Sequence, residues 1–424
     1  MNFNLITTLK SKKSVKKSFE GALRSYMKLR EKTFLSLEIE KMKKKLKEIK
    51  KYSIDNIEYL LDKAKETLEK NSVEVFEAKN GKEAVKILKK LIPRGETIVK
   101  SKSNTLHEIG FGKEFSERNE IVETDCGEFI LQVCGKKGAH PVTPAIHLTP
   151  REIAENLRRK FGVRLKPSAE EITKWVRNYL RKKILDCKIG LSGANAISAD
   201  GGICILENEG NISLISRVPE KHVIVVGIEK VVPTLEDAMI VCKASAVWGT
   251  GTNLPTYINI ISSPSKTADI QRKLVYGMHG AKGVSLIFVD NGRRDAIRKD
   301  LKEILYCINC GACLYFCPVY RQLFDAYGLT YLGGIGIAKS FLMEDLRAVF
   351  ENGLYFCSTC MACKFNCPVG IDVPSLIRKI REFCVKKELE TKTNKKMVEN
   401  LETTGNPFGE VEEGAEILEE LFCC

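Results

Sequence analysis

No run of about 18 consecutive apolar residues occurs in this chain, so a transmembrane helix is not expected. The N-terminus, MNFNLITTLKSKKSVKK, lacks a hydrophobic stretch followed by a small-residue cleavage site. Secretion is therefore not expected, and the cytoplasm is the default compartment. There is no G-x-x-x-x-G-K-[ST] phosphate loop, no G-x-S-x-G nucleophile elbow and no H-E-x-x-H zinc motif. GTGTNL (249–254) begins like a dinucleotide fingerprint, but Leu254 stands where the third glycine is required. No solenoid repeat of 20–50 residues is present either.

What is present is a chain of 424 residues, 44% hydrophobic, enough for a sizeable core and two or three domains. The net charge of +14 is uneven. Residues 1–50 carry 15 Lys/Arg against 5 Asp/Glu, a balance of +10, which leaves +4 for the rest. Such an arm reads either as a docking element for an anionic partner or as a solvated Lys-rich helix with acidic i,i+4 neighbours. No aromatic stacking platform accompanies it, and nucleic acid is not an expected partner.

Residues 1–70 have helical spacing, followed by a strand and turn over 72–80, a helix over 81–92 and a strand leading into a polar turn over 96–103. NEIVETD (119–125) and EFILQV (128–133) continue the pattern. Thr149–Pro150 and Ser168 are good starts for two helices. GICILENEG, ISLIS, HVIVVGIEKVV and VSLIFVD then read as buried strands of one sheet, and RRDAIRKDLKEILYC (293–307) as a connecting helix. The expectation is an α/β class chain: a basic helical arm (1–50), an α/β domain (51–295), a cysteine-rich domain (296–390) and a charged tail (391–424) with a turn at GNPFG.

Eight of the 16 cysteines form two runs, C-I-N-C-G-A-C-L-Y-F-C-P from Cys307 and C-S-T-C-M-A-C-K-F-N-C-P from Cys357. Both fit C-x2-C-x2-C-x3-C-P, the spacing of bacterial ferredoxins. Three cysteines three residues apart let one tight loop reach three corners of a cubane, and soft thiolates suit iron and sulfide. Zinc sites favour separated C-x2-C pairs instead. Two [4Fe–4S] clusters are expected. In such a pair the fourth cysteine of each run ligates the other cluster. That assigns Cys307, Cys310, Cys313 and Cys367 to cluster one, and Cys357, Cys360, Cys363 and Cys317 to cluster two. With four protein ligands per cluster, the expected role is one-electron transfer, not bond chemistry.

Weaker polar clusters lie in the α/β region. Lys100–Ser103 reads either as an anion nest or as a capped turn. Glu123–Glu128 gathers three carboxylates, either around a pocket or in a solvated turn. His140 and His147 flank P-V-T-P-A-I without carboxylates at ligand spacing, which suits a structural role. Leu206–Asn211 reads as a hairpin turn whose glutamates alternatively line a pocket.

ETDCGEFILQV, PAIHLTPREIAE, SGANAISADGGICILENEGN, HVIVVGIEKVVPTLEDA and the D-N-G-R at 290–293 resemble the lactate-utilisation (LUD) domain. CINCGACLYFCPVYRQL, AYGLTYLGGIGIAKS and CSTCMACKFNCPVGIDVP are similar to the ferredoxin part of the subunit-B-type iron–sulfur proteins of that family. The resemblance spans roughly 20–385. It implies a sugar-isomerase and CoA-transferase-like fold for the LUD domain, followed by a double-cluster ferredoxin-type domain. It also implies electron transfer in a complex oxidising L-lactate or a related 2-hydroxy acid. The implied partners are a cysteine-rich CCG-domain subunit and a second, smaller LUD subunit. It assigns no catalytic residue. The tail NLETTGNPFGE resembles the lead-in to CCG domains of heterodisulfide-reductase-like subunits, so a redox adaptor of such a complex is the alternative. Cys423 and Cys424 are either ligands at that interface or a solvent-exposed end.

Overall fold

The computed structural model describes residues 13–343 and 345–410. Cys423 and Cys424 lie outside the described residues. A six-stranded, wholly parallel sheet forms the body. Its order is Glu74–Ala78, Gly283–Val289, Lys221–Gly227, Ile189–Ser192, Thr97–Lys100 and Glu120–Glu123. The central strands are runs of Val, Ile and Leu because helices cover both faces. From Thr97–Lys100 the chain winds outward to Glu120–Glu123. From the adjacent Ile189–Ser192 it winds the other way. The topological switch point therefore lies between those two neighbours.

Local chemistry sets the helix starts. Thr149 and Ser168 accept the N–H groups of Glu152 and Glu171, each at 3.3 Å, and Pro150 opens its helix. Ser103 accepts from Leu106 N and Asp125 from Glu128 N, which makes K-S-K-S and E-T-D-C-G-E capped strand-to-helix turns. EFILQV lies in the helix Cys126–Cys134, closed by Gly135 in the left-handed region.

Three expectations change. The apolar segments do not share one sheet: Ile203–Glu207 and Val231–Val232 belong to a separate four-stranded sheet with Ala196–Ser198 and Tyr257–Ile261. ISLIS is helical, Asn211–Ile215, because Glu207 accepts from the N–H groups of Ile212 and Ser213 and starts a helix where a hairpin was expected. The connecting helix is broken. Arg293–Arg298 ends before Asp300, at φ 54°, and Lys302–Tyr306 is a separate 3-10 turn.

The arm is neither free nor solvated all round. Helix Lys13–Leu35 lays Phe19 and Tyr26 on Tyr315, at ring separations of 5.8 and 4.1 Å. Tyr26 also donates to Trp248 O at 2.8 Å, and Thr33 to Gly251 O at 2.7 Å. The GTGTNL segment thus anchors the arm. One continuous core runs from Phe19 and Leu46 through Trp248 to Ile337 and Ile377, joining arm, sheets and cysteine-rich region. No helix among the described residues is long and apolar enough to cross a membrane.

Candidate iron–sulfur site

The two cysteine runs fold alike. Each follows a 3-10 turn, Lys302–Tyr306 or Leu354–Phe356, and each runs into a short helix, Ala312–Phe316 or Ala362–Phe365. Cys307 sits at φ −63°, ψ 120° and Cys357 at φ −64°, ψ 117°. The second residue after each is left-handed, Asn309 at 60° and Thr359 at 53°, and so is the fourth, Gly311 at 76° and Met361 at 67°. These alternations turn successive backbone N–H groups inward, the geometry of an anion-binding concavity. Asn309 N donates to Cys307 Sγ and Tyr320 N to Cys317 Sγ, both at 3.4 Å.

The sulfurs stand around two cavities. The larger, about 760 Å³, is lined by Cys307, Cys310, Cys313 and Cys367, and by Cys363. The smaller is lined by Cys317, Cys357, Cys360 and Cys363, and by Cys313; Cys313 and Cys363 line both cavities, whereas Cys317 lines only the smaller and Cys367 only the larger. The fourth cysteine of each run therefore faces the other run. The electrostatics follow the same crossing. Burial pushes the Cys317 thiol up to about 11, with Cys357 and Cys360 adding to the shift against the N–H groups of Tyr320 and Val319. Burial likewise pushes Cys367 up to about 11, with Cys307 adding to it against the N–H groups of Ile371, Val369 and Gly370. Cys363 rises to about 12 from burial and the nearby Cys357. Such thiols hold their protons until a cation arrives, so metal loading releases protons.

The residues fit an iron–sulfur cluster better than a single ion. Among the described residues no three Cys, His, Asp or Glu side chains are spaced to hold one metal ion. A tetrahedral zinc site with bonds of about 2.3 Å would need such spacing. The second cavity is also lined by Tyr327, whose buried hydroxyl lies beside Cys357. Gly334 keeps that wall open, because a Cβ there would stand 3.3 Å from the Tyr327 hydroxyl.

Beneath Cys307 lies a buried charge network that sequence reading missed. Arg293 donates to both Glu108 oxygens, at 2.8 and 2.9 Å, and pairs with Glu229. Tyr331 donates to Glu108 at 2.9 Å. Lys50 donates to Glu229 O at 2.6 Å, and burial, then Lys230, lowers its ammonium to about 7. Lys339 pairs with Asn309 inside the first loop. Buried cations here offset negative charge gathered by the first loop. The D-N-G-R at 290–293 was the one visible signal, since it contains Arg293.

The fold and this site define an iron–sulfur cluster-binding module of ferredoxin type built onto a parallel α/β body. The LUD domain family model matches residues 61–289 and the 4Fe-4S dicluster domain model residues 303–371. Lactate utilization protein B of Bacillus cytotoxicus is 33% identical over 346 residues, 80% of this chain and 71% of that protein. Its counterparts in Bacillus thuringiensis and Bacillus anthracis are 32% identical over the same shares. The chain belongs to the LUD-domain family of iron–sulfur proteins. A solved structure of a DUF162 family protein from Deinococcus radiodurans aligns over 55% of this chain and 98% of its own, at 14% identity and a TM-score of 0.28.

Proposed function

We propose that this chain is a cytoplasmic electron-transfer subunit of an oxidoreductase complex acting on L-lactate or a related 2-hydroxy acid. It holds two [4Fe–4S] clusters, one on Cys307, Cys310, Cys313 and Cys367, the other on Cys357, Cys360, Cys363 and Cys317. When bound, each cluster supplies a one-electron carrier. The chain's own residues ligate, donate N–H groups to sulfur and exclude water. The observation that carries this reading is the crossing of Cys317 and Cys367 between two loops of the same backbone. The lactate utilization proteins B among its relatives support the substrate class.

A CCG-domain subunit and a second LUD subunit are the proposed partners. Helix Lys392–Thr404 supports a partner, since it buries none of its residues and leaves Val398 and Leu401 exposed, with Phe408 just beyond. The same helix precedes the GNPFG turn and so favours the alternative, a redox adaptor in a heterodisulfide-reductase-like complex.

The test is anaerobic purification with iron and sulfide analysis, then EPR after dithionite and, separately, after L-lactate with the partner subunits. About eight irons per chain and signals that appear on lactate addition are expected. Eight irons answering only to dithionite would remove lactate and keep the relay. Zinc in protein never exposed to air would overturn the cluster reading.

A further inference from the structure

The large cavity does more than face the first cysteine loop. Its opposite wall is the carboxyl end of the sheet, where Lys102, Asn104 and His107 follow strand Thr97–Lys100 and Glu128 follows strand Glu120–Glu123. This is beside the topological switch point, where open parallel sheets bind their ligands. Its volume of about 760 Å³ takes in both the space inside the first cysteine loop, where cluster one would sit, and the space against the sheet.

Two buried polar atoms on this wall lack hydrogen-bond partners, and both are donors. His140 is 1% exposed. The backbone N–H groups of Val142 and Thr143 donate to its Nδ1 at 3.2 and 3.4 Å, so Nδ1 is an acceptor and the ring proton sits on Nε2. That Nε2–H has no partner. Burial, then Lys102, holds this imidazole down to about 3, which keeps it neutral and its tautomer in place. Lys102 Nζ lies 3.3 Å from Glu128 Oε1, yet none of its protons makes a hydrogen bond. Buried donors left unmet are costly, and only a molecule bringing acceptors relieves them. Glu128 balances the Lys102 charge, and the donors of Lys102 and His140 together select a molecule with paired acceptor oxygens, as a carboxylate has. Gly311 opens the way between this wall and the first loop: a Cβ there would stand 3.7 Å from His140 Nε2.

We infer that this cavity binds a small organic carboxylate, with Lys102 Nζ and His140 Nε2 holding its oxygens against the first cysteine loop. The site deepens the proposed function, because it puts an organic acid in this chain beside cluster one. Binding itself does not depend on electron transfer.

The experiment is anaerobic titration calorimetry on the full, iron-loaded chain with sodium pyruvate, sodium L-lactate and sodium phosphate as probes. Iron content and the dithionite EPR spectrum are recorded on the same samples. Saturable binding of the carboxylates over phosphate is expected. Lys102→Gln should weaken it about 10- to 100-fold at unchanged iron content, the range for a lost charged hydrogen bond. Lys102→Arg should restore most of it. No saturable carboxylate binding with iron intact overturns the site and leaves the relay standing. Equal affinity for phosphate, or an unchanged Lys102→Gln affinity, also overturns it. Carboxylate binding with clusters that no donor reduces would instead overturn the relay and keep the site.

Discussion

The two cysteine loops share a spacing, a backbone and a flanking proline, yet they live in different surroundings. The first is enclosed: Leu314 and Tyr315 are buried, Phe19, Tyr26 and His140 pack on Tyr315, and Gly311 faces Pro141. The second lies near the surface. Cys360 is exposed, helix Ala362–Phe365 buries nothing, and Phe365 is 73% exposed. Chain-local chemistry builds a ligand loop, while packing decides which loop is inside. The inner loop adjoins the cavity and the buried cations, and the outer loop adjoins solvent.

The largest effect expected is the exchange of ligands between loops. Cys317→Ser should cost about half the iron, about four of eight, and the loss should fall on the second loop. Cys367→Ser should empty the first. Iron analysis with EPR of the remaining cluster checks both, and a Cys317→Ser protein that retained only the second-loop cluster would refute the crossing.

Next comes packing. Phe19→Ala should cost about 3–5 kcal/mol, because it empties a filled aromatic core. Phe365→Ala should stay within about 0.5 kcal/mol. Urea unfolding midpoints of the two iron-loaded variants would separate inner from outer loop, and equal costs would erase the distinction.

The left-handed fourth positions sharpen it further. Gly311→Ala should cost about 1–2 kcal/mol from backbone strain, with a Cβ only 3.0 Å from Pro141 Cγ. Met361→Gly should be near neutral, since relief of strain offsets the lost chain entropy. The same unfolding experiment reads both.

The last effect is a pH slope peculiar to the inner loop, small over any one pH unit. Lys50 has its pKa lowered from 10.5 to about 7, first by burial and then by Lys230. Between those values the unfolded chain binds the extra proton, so stability should rise with pH from about 7 and level off above 10.5. The rise is on the order of 1 kcal/mol per pH unit. Lys50→Met should flatten it in denaturation curves taken across that range, and an unchanged slope would remove Lys50 as its source.

Some of this was legible from residues alone. The Thr149 and Ser168 caps were readable because a cap is a contact within four residues. ISLIS was not: five apolar residues fit a strand or a helix equally, and only Glu207, from the preceding strand, decided it. Lys50 looked like one more solvated lysine, because its burial depends on Glu229 and Lys230, far away in the chain.

By itself, the sequence determined the loop chemistry: the spacing of Cys307–Cys317 and Cys357–Cys367, and the residues that turn each loop. Those are short-range matters of bond geometry and ligand softness. Tertiary structure alone decided which loop is buried. It also decided that His140 and Lys102 bring unmet donors to a wall opposite the first loop. These depend on contacts between segments far apart in the chain, and periodicity and spacing carry no record of them.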